Sequence, residues 1–292
     1  MFLELAIITA RKKGWCVFRS MSLETSQDPL QRPRASVVRS VERTMAILES
    51  LSVTKRGLTL AELSRRLGLP RSSTHCVLLT LKEGGFLTRS EKTHRYTFGL
   101  KLFSLANVAL NGTRLREQAS PFLQRLMWRC KATVHLAVLG CEQAVIIEKF
   151  EHPNAPRVPT WVGKRLDLHS TAVGKALIAH LPEEKLLSLV RGRGLPRYNE
   201  NTITSFRRLQ QELEETRRRG YSVDAGEDEI GGCCVGAPIL VASGEVIAAV
   251  SIAGSSELIN PEDIPSFGSL VKETASDIAA AFHIDGKSKS TE

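Results

Sequence analysis

The stretch from Thr59 to Gly85 constrains the fold more than any other part of the chain. Thr59-Leu60-Ala61-Glu62 fits a capping box, in which the Thr59 hydroxyl accepts from the Glu62 backbone N–H and the Glu62 side chain reaches back. Leu60, Leu63 and Leu67 make the inner stripe of a short helix, and Gly68 suits the left-handed position that closes it. Pro70 fits the first turn of a second helix, where a missing N–H costs nothing. Val77, Leu78 and Leu81 form the buried stripe of that helix, and Gly84-Gly85 ends it. Two helices joined by a turn of about three residues with a glycine are a helix-turn-helix. Ahead of them Val41, Met45, Leu48 and Leu51 recur at helical spacing and predict a helix from about Val37 to Ser52.

Two short β-prone runs follow, Phe86 to Arg89 and His94 to Phe98, separated by the polar tip Ser90-Glu91-Lys92-Thr93. A hairpin directly after a helix-turn-helix is a wing. Charge supports this reading. The chain carries 40 Lys+Arg against 31 Asp+Glu, a net charge of +9. Residues 21–114 hold 15 basic and 7 acidic residues, whereas residues 115–292 hold 21 and 23, so the basicity belongs to the front. A basic head on a near-neutral body suggests a polyanion-binding module joined to one with another task. With the helix-turn-helix and wing, the polyanion is double-stranded DNA.

The N-terminal end of the second helix would enter the major groove. It offers Arg71, Ser72, Ser73 and His75, while Thr74 falls on the inner side with Val77 and Leu78. Arg71 suits a phosphate or guanine, and the two serines suit phosphates or nearby base edges. In the wing, Lys92, His94 and Arg95 suit the minor groove or the backbone. The competing reading is a solvated helix face and a charged tip that only keeps the hairpin soluble.

No apolar run approaches the ~18–20 residues of a membrane span. The six cysteines include no C-x-x-C pair, which argues against a zinc ribbon or disulfide scaffold and makes a reducing cytoplasm the simplest setting. Residues 1–20 place an apolar stretch before the cluster Arg11-Lys12-Lys13, the reverse of a secretory signal. Residues 1–35 read as a poorly ordered extension, and residues 285–292 as a disordered tail.

Beyond the wing, residues 36–99 give way to a linker helix over 100–114 and a larger domain over 115–284. Leu115 to Cys130 reads as a helix kinked or restarted at Pro121. Val134 to Leu139, Ala144 to Phe150 and Arg157 to Val162 read as strands. Thr171 to His180 and Ser205 to Arg219 read as helices, with another opening at Pro182. Val235 to Leu240 and Val246 to Ile252 read as a hairpin about Ser243-Gly244, and Pro261 as the start of a final helix ending near His283. Short hairpins mixed with helices mean an α+β fold rather than a doubly wound parallel sheet.

Several separated motifs, in order, resemble those of IclR-type transcriptional regulators. They are Thr59 to Ser73 in the helix-turn-helix, Arg95-Tyr96-Thr97-Phe98-Gly99 at the end of the wing, Val162 to Ala176, Gly220-Tyr221-Ser222-Val223-Asp224, and Cys234-Val235-Gly236-Ala237-Pro238. The resemblance runs from about Val37 to His283. It implies a winged helix-turn-helix, a linker helix and a GAF-like α/β effector-binding domain with an antiparallel sheet. It implies homodimers or dimers of dimers on palindromic DNA, control of catabolic genes usually by repression, and a small carboxylate or aromatic metabolite as signal. No cofactor is expected. By position it carries over Thr171, Ala172 and Val173 as effector contacts, with Asp224, Cys234, Ser251 and the loop glycine Gly163. The start of a helix at Thr171 suits a carboxylate, because orphan N–H donors and the dipole point there.

The chain departs from the family pattern at Ala253, where a second serine is common, at Ala172, where glycine is common, and at Cys76, often an arginine. Trp161 suits either a cover over a flat ligand or a packed core or interface residue. Two rival readings remain open to test. Asp224, His169 and Cys234 would have to meet to form a catalytic set. His135, His169, Asp224 and Cys234 would have to converge for a metal-responsive regulator of the same architecture. A redox switch at Cys233-Cys234 is weaker, since adjacent cysteines rarely pair.

Overall fold

The computed structural model describes residues 38–54, 56–111, 114–140 and 142–287. The expected N-terminal extension lies outside this range, as do residues 288–292 of the expected tail 285–292, whereas residues 285–287 are helical rather than disordered. The chain divides into two compact units, one ending at Leu100 and the other beginning at Lys101.

The first unit contains α1 (Arg39–Ser52), β1 (Leu58–Thr59), α2 (Leu60–Leu67), α3 (Arg71–Glu83), β2 (Leu87–Arg89) and β3 (Arg95–Phe98). The capping box forms at α2. Glu62 N donates to Thr59 Oγ1 at 3.3 Å, and Thr59 N donates to Glu62 Oε2 at 2.8 Å. Gly68 closes α2 at φ 63°, a left-handed conformation that a Cβ would strain. Ile47, Leu51, Leu63, Leu78, Leu81, Leu87 and Tyr96 share one core. The face of α1 differs from the expected stripe. Val41 and Met45 are 48% and 57% exposed, and burial starts at Ile47 instead. The wing also gains a strand, because Leu58–Thr59 pairs with β3 in a three-stranded order β1-β3-β2.

The second unit contains α4 (Leu100–Asn111), α5 (Arg114–Cys130), β4 (Thr133–Gly140), β5 (Gln143–Phe150), β6 (Arg165–Leu166), α6 (Ala172–Ile178), α7 (Glu183–Arg193), α8 (Phe206–Arg219), β7 (Ser222–Ala225), β8 (Gly232–Leu240), β9 (Val246–Ser255) and α9 (Ile264–Lys287). Six strands form one antiparallel sheet in the order β6-β5-β4-β9-β8-β7. Strand side chains alternate between the two faces. Val134, Leu136, Cys233, Val235, Val250 and Ile252 pack with α5 and α9. Ala137 and Ala249 join the core formed with α6, α7 and α8 on the opposite face. That alternation leaves His135, Cys234, Ser251 and Ala253 on the α6 side.

Four local expectations need correction. Arg157 to Val162 is not a strand: Pro156 and Pro159 carry no N–H for a ladder, and a turn follows in which Lys164 N donates to Trp161 O at 3.0 Å. The strand beside β5 is Arg165–Leu166. Ser222–Ala225 forms an edge strand that the sequence reading left unassigned, and it pairs with β8 from Ser222↔Gly236 to Ala225↔Cys233. The last helix starts at Ile264 rather than Pro261, because Asp263 N closes a turn onto Asn260 O. Pro121 does not restart α5, which runs as one helix from Arg114 to Cys130 with the proline inside it.

Candidate functional site

In the first unit the exposed end of α3 presents Arg71, Ser72 and His75 to solvent, with Ser73 half-buried and Thr74 fully buried. The Thr74 hydroxyl donates to Pro70 O at 3.0 Å, which pins the start of the helix. Cys76 is exposed beside these residues. At the wing tip Lys92 and His94 are exposed, and His94 takes a positive φ of 54°. Its Nδ1 lies 3.0 Å from Arg89 Nη2. Arg95 departs from its expected role as a free wing cation. Its guanidinium donates to both Glu62 carboxylate oxygens at 3.0 Å and to Gly57 O at 2.8 Å. The Thr59 N–H and this guanidinium together hold the Glu62 carboxyl below the usual carboxylate range. Arg95 therefore latches the wing to α2.

In the second unit a cavity of about 280 Å³ opens on the α6 side of the sheet. Its floor follows the strand order: Asp224 from β7, Cys234 from β8, Ser251 and Ala253 from β9, and His135 from β4. Thr171, Ala172 and Val173 at the start of α6 form one wall. That wall can sit close to the sheet because β8 has Gly236, where a Cβ would lie 3.1 Å from the Ala172 carbonyl. The Ser222 hydroxyl fixes the contact by donating to Ala172 O at 2.6 Å. The remaining walls are the loop carrying Arg157, Thr160 and Lys164, and the turn Asp228 to Gly232.

Six of the seven residues expected to contact an effector line this cavity. Gly163 does not. Its backbone N–H extends the edge ladder by donating to Ile146 O at 2.7 Å, and its φ of 89° turns the chain toward Lys164. The helix-start argument for carboxylate binding also weakens. The Thr171 hydroxyl oxygen already accepts from Gly174 N at 3.1 Å and donates to Asp167 O at 2.6 Å. Trp161 is 60% exposed, so it is not a packed core residue, and the Lys164 ammonium sits 5.3 Å from its ring centre. Residue-by-residue reading missed Lys164, Arg157, Thr160, Asp228 and Glu229. The only sequence signal for the acids was the run Glu227-Asp228-Glu229 beside Asp224.

The polar groups in the floor are deeply buried. Asp224 is 5% exposed, and its Oδ1 accepts from Glu227 N at 2.8 Å. Burial pushes its carboxyl up to about 7, opposed by that backbone N–H and by Lys175, and reinforced by Glu227 and Asp228. Lys175 on α6 is wholly buried, with its Nζ 2.5 Å from Glu227 Oε1 and 3.5 Å from Glu212 Oε1. His135 is pushed down to about 3 by burial and by Lys149 and Lys164, so it is neutral at physiological pH. Its Nε2 lies 2.7 Å from Thr160 Oγ1. Burial, followed by nearby Asp224, keeps the Cys234 thiol protonated.

The rival catalytic set does not assemble. His169 lies away from the cavity, with Nε2 2.9 Å from Pro196 O. Among the described residues no three His, Cys, Asp or Glu side chains group as metal ligands. Cys233 and Cys234, being neighbours on β8, face opposite sides of the sheet.

The sequence profile described as "Bacterial transcriptional regulator IclR C-terminal" matches residues 107–280, and that described as "IclR helix-turn-helix domain" matches residues 40–91. The chain is 31% identical over 252 residues to the transcriptional repressor IclR of Escherichia coli K12, covering 86% of this chain and 92% of that protein. It is 32% identical over 242 residues to the transcriptional repressor AllR of the same organism, covering 83% and 89%. Among solved structures it resembles an IclR homolog complexed with 4-hydroxybenzoate from Microbacterium hydrocarbonoxydans. The TM-score is 0.72 at 28% identity, over 84% of this chain and 99% of that one.

Proposed function

The chain belongs to the IclR family of bacterial transcriptional regulators, DNA-binding proteins rather than enzymes, and from that premise we propose that it is an effector-controlled repressor of catabolic genes. Its signal is a small carboxylate or aromatic acid held in the cavity between α6 and the sheet. The observation that carries this reading is the cavity itself. It is about 280 Å³, at the small end of the range for ligand sites, and it is floored by the buried polar groups of Asp224 and Ser251. The 4-hydroxybenzoate complex of the Microbacterium homolog supports an acid of this size. The repressor names of the two Escherichia coli relatives support the sign of regulation.

Arg71, Ser72, Ser73 and His75 take the major groove, while Lys92 and His94 follow the adjacent backbone or minor groove. Arg95 supports them through Glu62 and makes no direct contact with DNA. The protein works in the cytoplasm as a homodimer or dimer of dimers on a palindromic operator. Pairing of copies is supported by apolar side chains that one chain leaves uncovered. These are Val41 and Met45 on α1, and Phe103 and Val108 on α4, the last two 71% and 73% exposed.

The test is a thermal-shift screen of the full chain against small organic and aromatic acids, followed by DNA binding at fixed salt. A ligand at 100 times its dissociation constant stabilises by ~2.7 kcal/mol. The reading expects a hit that disappears in Ser251→Ala or Asp224→Ala and that changes operator affinity. A hit that leaves DNA affinity unchanged would refute it.

A further inference from the structure

The cavity holds its charges out of salt-bridge contact, although Lys164 lies near enough to Asp228 to favour its ionised form. On the β7–β8 side stand Asp224, Asp228 and Glu229. Asp224 receives one hydrogen bond, from Glu227 N to Oδ1, and its other oxygen has no protein partner among the described residues. Asp228 accepts from the Ser170 hydroxyl at 3.2 Å, its one hydrogen bond among the described residues. The buried cation nearest them, Lys175, is committed to Glu227 and Glu212. On the opposite side, the loop after β5 brings Arg157 and Lys164. Lys164 Nζ donates to Pro159 O at 2.9 Å, and among the described residues neither cation has a carboxylate within salt-bridge reach. Between the two walls lies the Ser251 hydroxyl, 2% exposed and without a hydrogen-bond partner among the described residues.

A cavity this small with opposite charges on facing walls selects by polarity. A carboxylate is drawn to the Arg157–Lys164 wall. A second carboxylate at the far end would face Asp228 and Glu229 beside the buried Asp224, and like charges at close range disfavour each other. A hydroxyl or amine at that end would instead satisfy the free oxygen of Asp224. We infer that the effector is a small monocarboxylate bearing a hydroxyl or amino group at its far end, bound with its carboxylate toward Lys164 and Arg157 and its donor on Asp224. This rests on the effector reading of the cavity.

Isothermal titration of the full chain tests it with two matched sets. One is benzoate, 4-hydroxybenzoate, 4-aminobenzoate and terephthalate; the other is hexanoate, 6-aminohexanoate and adipate. In at least one set the donor-bearing acid binds tenfold or more tightly than both the unsubstituted acid and the diacid. Asp228→Asn narrows the gap to the diacid, whereas Lys164→Gln weakens every acid by a similar factor and keeps their order. Ser251→Trp, or Ala253→Leu if tryptophan is not accommodated, abolishes binding by filling the floor. Diacids that bind as tightly, or donors that give no advantage, overturn the polarity while the filled-floor variant still confirms the site. Binding that survives the filled floor, or the failure of every probe to bind, overturns the effector reading as well.

Discussion

Asp224 and His135 share one face of the sheet and titrate in opposite senses. Burial raises Asp224 from 3.8 to about 7, so between those values the folded protein holds a proton that the unfolded chain releases. Its contribution to stability is complete below 3.8 and is lost as pH rises toward 7. Burial lowers His135 from 6.5 to about 3, so its contribution is complete above 6.5 and is lost as pH falls toward 3. The two slopes oppose each other across the mildly acid range, and each masks the other in the native protein. Asp224→Asn should therefore gain thermal stability relative to the native chain as pH rises from about 4 to about 7, and level off above that. Melting curves at four or five pH values check this, and a constant offset would mean that Asp224 is ionised throughout. Lys175, Glu227 and Asp228 contribute to the same shift, so a change at any of them moves the window.

Among the elements, α2 anchors the wing, and α3 carries the residues proposed to read DNA. Glu62 performs two tasks at the start of α2: it completes the capping box and receives both arms of Arg95 from the wing. Glu62→Gln can keep the capping box but removes the charge that pairs with Arg95, and should cost up to about 1 kcal/mol of stability, in the range of an exposed ion pair. Chemical denaturation measures that cost. Gel-shift assays should show weaker operator binding, because β3 is no longer held against α2. Arg71 on α3 makes no internal hydrogen bond or ion pair among the described residues and stands free at the groove end. Arg71→Ala should weaken operator binding by ~1–3 kcal/mol if the side chain reads a base. Equal weakening on operator and random DNA, with a shallower salt dependence, would instead make it a phosphate contact.

For the whole molecule the decisive quantity is the coupling between effector and operator. Linkage makes that coupling reciprocal: if the effector changes operator affinity by some factor, the operator changes effector affinity by the same factor. Typical coupling runs ~5–150-fold. Titrating the effector into the free protein and into the protein–operator complex, at one salt concentration, should give two constants that differ by this factor. Identical constants would show that the cavity and the DNA-binding face act independently.

The sequence alone determined whatever depends on residues a few positions apart. The capping box at Thr59 and Glu62, the left-handed Gly68, the inward Thr74 and the β8–β9 hairpin about Gly244 could be read because their physics is local. Most of the residues expected to contact an effector come from the family motif, and the sheet brings six of them to one cavity. Only the tertiary structure decided the rest. Val41 and Met45 fit the helical period but find no partner in the chain, because periodicity gives a face and not what covers it. The run 157–162 looked β-prone, yet two prolines and a glycine turn make it a cavity wall. Arg95 looked like a free cation until folding set Glu62, 33 residues away, against it. The acidic and basic walls of the cavity come from segments about seventy residues apart, and no local pattern announces that they face each other.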